Sequence, residues 1–315
     1  LADPRVRVVI ADGRHVVSAA AEPYDLIVSE PSNPWVAGIA SLFTRDFYQI
    51  ARSRLSPSGV MVQWLQGYNI FPDDVRMVVR TFQEAFPHTS VWTAASGDFI
   101  LVGTPEPLRV DFRIIRDRLA RSPALREDFD RFRWNGENLL ARFRLEEQGA
   151  RRFSAGAPLN TDDRPLLEFR APLALYGHSL GEITVAMRQS RAVEWPAVAG
   201  LDPGRLSSPE AHLRMARADW LLGWGVDAAQ ELARAAPEIV GFDGRLELAR
   251  LLFVLGDFDA AIPELTALAR QRPGDRDVGR YLRAATAFRG RVPPDGLREA
   301  CLDACMRRGD ADWCQ

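Results

Sequence analysis

The sequence predicts an α/β sheet succeeded by an all-helical segment. Three observations carry that prediction. Short β-branched apolar runs alternate with segments of helical periodicity as far as about residue 103. A Pro/Gly/Ser-rich stretch separates residues up to 195 from the C-terminal part of the chain. Beyond residue 209 the chain becomes rich in Ala and Leu at helical spacing. Hydrophobic residues make up 47% and charged residues 26% of the 315 residues, which fits folded cores and excludes a disordered chain.

In chain order, Val6–Ala11 reads as a buried strand closed by Asp12-Gly13, with a short helical stretch over Arg14–Ala21. Asp25–Ser29 is the second buried strand, and the loop Glu30–Gly38 comes next. Phe43, Phe47, Ile50, Ala51 and Leu55 keep helical spacing, with Thr44 as N-cap. Pro57-Ser58-Gly59 breaks that helix, and Val60–Leu65 is the third strand. Pro72–Phe86 is an amphipathic helix with Val75, Val78, Val79, Phe82 and Phe86 on one face. Val91–Thr93 and Phe99–Gly103 form a hairpin around Ser96-Gly97-Asp98, expected as an antiparallel edge on parallel strands.

Residues 111–148 are helical in pattern and dense in Arg and Glu. Asn160-Thr161-Asp162-Asp163-Arg164-Pro165 is irregular; its paired carboxylates are expected to cap a helix or turn with Arg164. Gly181–Arg191 is a further helix, and Pro196–Pro209 reads as a linker. Within Pro209–Arg289, one unit resembles a tetratricopeptide repeat through Ala249, Gly256, Phe258, Ala261, Leu265, Leu268 and Pro273. Small residues there let paired helices approach, and Gly256 permits the turn between them. Gly225, Ala228 and Ala229 suggest a degraded neighbouring repeat. The expected divisions are 1–105, 106–195, 196–208, 209–290 and a helical tail 291–315.

Net charge is -2 with a pI near 6.2, and the cationic residues are overwhelmingly Arg, so solvated helix faces are expected and no nucleic-acid partner. No apolar run reaches the roughly 18 residues of a membrane span. Cys301, Cys305 and Cys314 are too few for a disulfide framework, and a zinc site would need a fourth ligand. His15, His88, His178 and His212 show no ligand spacing, so no metal is expected. The chain opens Leu1-Ala2-Asp3-Pro4 without an initiator Met and reads as a fragment.

The region Asp3–Gln66 resembles the spermidine-synthase-like (polyamine aminopropyltransferase) family, as the second half of its nucleotide-binding domain. The resemblance rests on Asp3-Pro4-Arg5-Val6, Asp12-Gly13-Arg14, Tyr24-Asp25-Leu26-Ile27-Val28 and Glu30-Pro31-Ser32-Asn33-Pro34. It continues through Leu42-Phe43, Phe47-Tyr48, Leu55-Ser56-Pro57-Ser58-Gly59-Val60 and Gln63. It implies a partial Rossmann-type S-adenosylmethionine-dependent transferase sheet, holding only the later strands. It also implies an aminopropyl donor, decarboxylated S-adenosylmethionine or a related nucleotide, and an amine acceptor. Asp12, with Gly13, would receive the adenine amino group, as an Asp closing a parallel strand points into the ligand crevice.

Glu30 would be the base, and Asn33 and Gln63 substrate contacts. Where the family usually has Asp-Ser-Ser-Asp-Pro, this chain lengthens the first carboxylate to Glu30 and neutralises the second at Asn33. Trp35, Trp64 and Tyr68 are candidate pocket walls. Some relatives are fused to membrane segments, so a cytoplasmic segment of a membrane-anchored protein is one expectation, and a homodimer another. The fragment alone is expected to be inactive. Two other readings stand beside the transferase. One is a catalytically silent relative whose helical repeats bind a protein partner. The other is an S-adenosylmethionine-dependent methyltransferase, because Ser32-Asn33-Pro34-Trp35 resembles the Asn-Pro-Pro-aromatic loop of amino methyltransferases.

Overall fold

The computed structural model describes residues 3–131, 139–177, 179–193 and 195–290. The chain divides into two compact units, Leu1–Pro123 with Arg142–Gly200, and Ala124–Ala141 with Leu201–Gln315. The three cysteines lie outside the described residues, as does His178.

The first unit begins with α1, Gly13–Ser18, and β1, Tyr24–Ser29. Next come α2, Arg45–Ser53, and β2, Leu55–Gln66. Thr44 caps α2 as expected, its hydroxyl accepting from Phe47 N at 3.3 Å. β1 and β2 pair in parallel from Leu26↔Val60 to Ser29↔Gln63. Pro57-Ser58-Gly59 does not end the strand. It is absorbed as an irregularity, with Tyr24 opposite Leu55 and Leu26 opposite Val60. Gly59 is required there, because a Cβ would come within 2.9 Å of Tyr24 O.

α3, Pro72–Ala85, starts on a proline, which suits the first helical turn. The hairpin is β3, His88–Ala95, and β4, Asp98–Thr104, turning at Gly97 with φ 82°. Two short strands come after it: β5, Arg109–Asp111, and β6, Phe143–Leu145. The five-stranded sheet runs β1-β2-β4-β3-β6, and only β1 and β2 are parallel. The hairpin is therefore interior rather than an edge, since β6 covers β3. β6 also falls inside the stretch read as helical, where helices form only in part, at Phe112–Arg121, Pro123–Arg131 and Glu147–Phe153. The stretch read as a linker supplies β7, Ala197–Ala199, which pairs in parallel with β5.

Val6–Ala11 forms no strand, contrary to the sequence reading. Val6, Val8, Val9 and Ile10 are all exposed, Ile10 at 99%. A buried parallel strand needs neighbours to take its backbone hydrogen bonds. Among the described residues, none lies along the outer edge of β1. Leu26 and Val28 of β1, which share one face, are exposed too, while Ile27 on the other face is buried.

The core of this unit lies between the sheet and α2 and α3. Phe43, Tyr48, Met61, Val78, Phe82 and Leu101 are fully buried. Tyr48 meets Phe82 edge-on at 5.0 Å, and Phe82 lies 4.8 Å from Phe86. The Tyr48 hydroxyl is buried without a partner, and burial holds its pKa well above the usual tyrosine value, so it stays neutral.

The second unit contains the helices Pro209–Leu221, Gly225–Ala235, Phe242–Val254, Phe258–Gln271 and Arg276–Phe288. Ala249, Ala261, Leu265 and Leu268 are buried between paired helices. Gly256 turns between two of them at φ 79°, a conformation that costs a residue with a Cβ. None of the described helices is long and apolar enough to cross a membrane.

Replacing Phe82 with Ala should remove about 3–5 kcal/mol of stability in urea unfolding, because the ring is fully enclosed. Phe169→Ala, at a position 72% exposed, should stay within about 0.5 kcal/mol in the same experiment.

Candidate functional site

The C-terminal ends of parallel strands are where α/β sheets place their ligands. Here β1 ends at Ser29 opposite Gln63, and β2 runs on to Gln66. The loop Glu30–Gly38 leaves directly from β1. Glu30 is exposed, and its carboxylate has no hydrogen bond or ion pair among the described residues. Three residues on, Asn33 Nδ2 donates to the Tyr68 hydroxyl at 3.4 Å. Trp35 stands edge-on to the Tyr68 ring, 6.4 Å between centroids. The structure therefore brings Asn33, Trp35 and Tyr68 together at the loop that begins at Glu30. Trp64 is elsewhere engaged, its indole donating to Asp98 Oδ1 at 3.1 Å.

Gln63 is fully buried. Its Nε2 donates to Trp64 O at 2.9 Å and Ser29 O at 3.3 Å, while Oε1 has no partner. The side chain thus joins the ends of the two parallel strands underneath the loop. The Nε2 of the expected substrate contact is thus engaged with backbone carbonyls, and its buried Oε1 is left unpartnered.

Asp12 sits where the expected strand would have ended. Its Oδ1 accepts from His15 N at 2.7 Å and caps α1. The carboxylate remains exposed, with Oδ2 open. No hydrogen bond or ion pair among the described residues joins Asp12 to Glu30, Asn33 or Gln63.

Residues 1–96 match the family described as the spermine/spermidine synthase domain. This N-terminal segment is spermidine-synthase-like. Its curated relatives include three polyamine aminopropyltransferases. That of Korarchaeum cryptofilum is 28% identical over 89 residues, covering 28% of this chain and 27% of the relative. That of Pyrobaculum calidifontis is 34% identical over 109 residues, covering 31% and 38%. That of Sodalis glossinidius is 43% identical over 60 residues, covering 19% and 21%. The chain spans about a third of the length of the curated relatives it matches. A probable spermidine synthase from Corynebacterium glutamicum aligns in structure with a TM-score of 0.36 and 19% identity, covering 50% of this chain and 55% of that one.

Beyond the synthase-like segment, sequence reasoning missed the partner of Asp162. Arg164 does not pair with it. Arg14, 148 positions earlier, grips both carboxylate oxygens, with Nη1 at 2.9 Å from Oδ1. Thr44 Oγ1 donates to the same Oδ1 at 2.8 Å. The Arg14 hydrogen bond, then Thr44, holds the Asp162 carboxyl below the usual carboxylate range. Asp162 raises the Arg14 pKa in turn, and Asp46 and Asp12 contribute from further away. Asp163 turns instead to Thr161, whose hydroxyl donates at 2.6 Å.

A carboxyl whose folded pKa is depressed stabilises the fold above its unfolded value of 3.8, and that contribution fades as pH falls through the lower folded value. The stability gap between the wild type and Asp162→Asn should therefore be constant at neutral pH and shrink below about pH 4. Urea unfolding at a series of pH values reads this directly, and a gap that grew on acidification would refute the pairing.

Proposed function

We propose that this protein is a transferase that moves an aminopropyl group from decarboxylated S-adenosylmethionine to an amine. The observation that carries the reading is Glu30, an unpartnered carboxylate just past the end of a parallel strand, opening the loop on which Asn33 and Trp35 meet Tyr68. The relatives matched by residues 1–96 are named polyamine aminopropyltransferases, which supports the same class.

In this reading a neutral amine attacks the carbon beside the sulfonium. The C–N bond forms, the C–S bond breaks, and a neutral thioether leaves. The amine proton passes to Glu30, which needs hydrogen-bond reach of the nitrogen. Asn33 and the Tyr68 hydroxyl orient the acceptor, and the rings of Trp35 and Tyr68 flank its methylenes. Asn33 offers a dipole where a carboxylate would offer a charge, so attraction for a second ammonium is weaker. An acceptor with fewer cationic centres than the usual polyamine precursors fits this loop. Asp12 receives the adenine amino group on Oδ2, the oxygen that helix capping leaves open. The adjacent Gly13 is open to close approach, since a Cβ there would meet nothing within 4 Å. Gln63 supports the loop from below.

A second reading has its own observation. Glu30 is held by no neighbour, so nothing fixes it in a productive geometry. In that case the synthase-like segment is silent, and the paired helices of the second unit bind a protein. Methyl transfer from S-adenosylmethionine is a third use of the same loop.

Titration of the full-length protein with decarboxylated and with unmodified S-adenosylmethionine separates these readings. Preference for the decarboxylated nucleotide supports aminopropyl transfer, preference for the unmodified one supports methyl transfer, and affinity for neither supports the silent relative. With the preferred donor and an amine, Glu30→Ala should lower turnover about 10²–10⁴-fold and leave nucleotide affinity unchanged. Unchanged turnover would remove Glu30 from the mechanism.

A further inference from the structure

We infer that the segment Asn160–Glu168, which lies outside the matched residues 1–96, is a two-armed clamp that positions both halves of the candidate site. One arm is Asp162, which holds Arg14 and through it the turn carrying Asp12. The other is Glu168, which holds the far end of the loop carrying Glu30 and Asn33. The inference rests on the functional reading above for what the positioned groups do, but not for the positioning itself.

Each held element has few other attachments. α1 is six residues long and buries none of its side chains. A helix that short is unstable without external contacts. Its attachments are polar: Arg54 Nη2 donates to Ser18 O at 2.7 Å at one end, and Arg14 grips Asp162 at the other. Arg14 also reaches Ser41 O at 3.4 Å. The loop Glu30–Gly38 is also sparsely packed. Pro34 is its one buried residue, a turn runs from Val36 N to Asn33 O at 3.0 Å, and Asn33 and Trp35 meet Tyr68 in its middle. At its end, Gly38 takes φ 84°, and its N–H donates to Glu168 Oε1 at 2.8 Å. A carboxylate accepting a backbone N–H is a charge-assisted bond, stronger than a neutral one.

The clamp itself has a rigid base. Asn160 is fully buried, and four of its groups are bonded. Its N–H donates to Thr81 Oγ1 at 3.0 Å and its Nδ2 to Phe43 O at 3.1 Å. Its Oδ1 accepts from Leu167 N at 3.1 Å and its carbonyl from Arg45 N at 2.8 Å. Asp162 N donates to Asp46 Oδ2 at 2.9 Å. The base is therefore bolted to α2 and α3, while its two carboxylates reach outward to the two weakly held elements. Asp162 and Glu168 are positioning residues; neither is assigned contact with substrate.

Hydrogen exchange on the full-length protein, free of any ligand, tests the clamp by itself. Glu168→Ala should speed exchange of the Gly38 amide about tenfold or more, the loss of one charge-assisted bond. Glu168→Gln, which keeps an acceptor, should restore most of the protection. Asp162→Ala should speed exchange over α1 and leave Gly38 unchanged. With donor nucleotide present, Asp162→Ala should weaken nucleotide affinity about tenfold, while Glu168→Ala should lower turnover with affinity unchanged. Wild-type exchange rates in both alanine variants would overturn the clamp. So would a uniform rise across the whole unit in both, which marks general destabilisation instead of positioning. A wild-type protein that binds neither nucleotide would defeat the functional reading yet leave the exchange result to decide the clamp.

Discussion

A single buried amide organises the first unit. Asn160 is enclosed on all sides and bonds to Thr81 of α3, to Phe43 and Arg45 around the start of α2, and to Leu167 in its own segment. In a low-dielectric interior each such bond is strengthened, and each one broken leaves a stranded group. The amide therefore fixes where a surface segment from late in the chain lies on two helices from early in it. Everything that segment does for Arg14 and Gly38 depends on this attachment. The aromatic packing of Tyr48 and Phe82 holds α2 against α3, but it does not select which surface segment crosses them.

Local order was legible because local chemistry decides it. Thr44 before a periodic apolar run is a helix start whatever the fold, and the cap is found there. The valines of α3 share one face, and that face is buried. Ser96-Gly97 between two apolar runs turns a hairpin. Order that depends on distant partners was not legible. Val6–Ala11 has the composition of a buried strand, but composition records a preference for pairing and cannot supply the pair. The hairpin's interior place depends on β6, a strand of three residues, too short for an alternating pattern to stand out from the helical sequence around it.

The same division runs through the candidate site. Glu30 follows β1 directly, so its place at a strand end could be read from the chain, whereas Asp12 caps α1 where a strand end was expected. The Gln63 bond to Ser29 O could not be read, because it exists only once β1 and β2 are paired. The partner of Asp162 could not be either. Arg164 lies two residues away in sequence, whereas Arg14 becomes a neighbour only after α2 and α3 have seated the later segment. Ion pairs between residues 148 positions apart leave no mark in spacing.

The bareness of α1 has a consequence for how the protein responds to its solution. A helix that buries no side chain is held by charge and dipole, and those interactions depend on ionic strength. Arg14 faces Asp162, Asp46 and Asp12, and the Arg14–Asp162 pair is partly open to solvent. The screening length falls from about 10 Å at 0.1 M salt to about 3 Å at 1 M. Contact between Arg14 and Asp162 would survive that change better than the longer-range pull of Asp12 and Asp46. Added salt would therefore loosen the turn at Asp12 while the aromatic core beneath stayed tight, so electrolyte concentration acts on one corner of this unit and spares the rest.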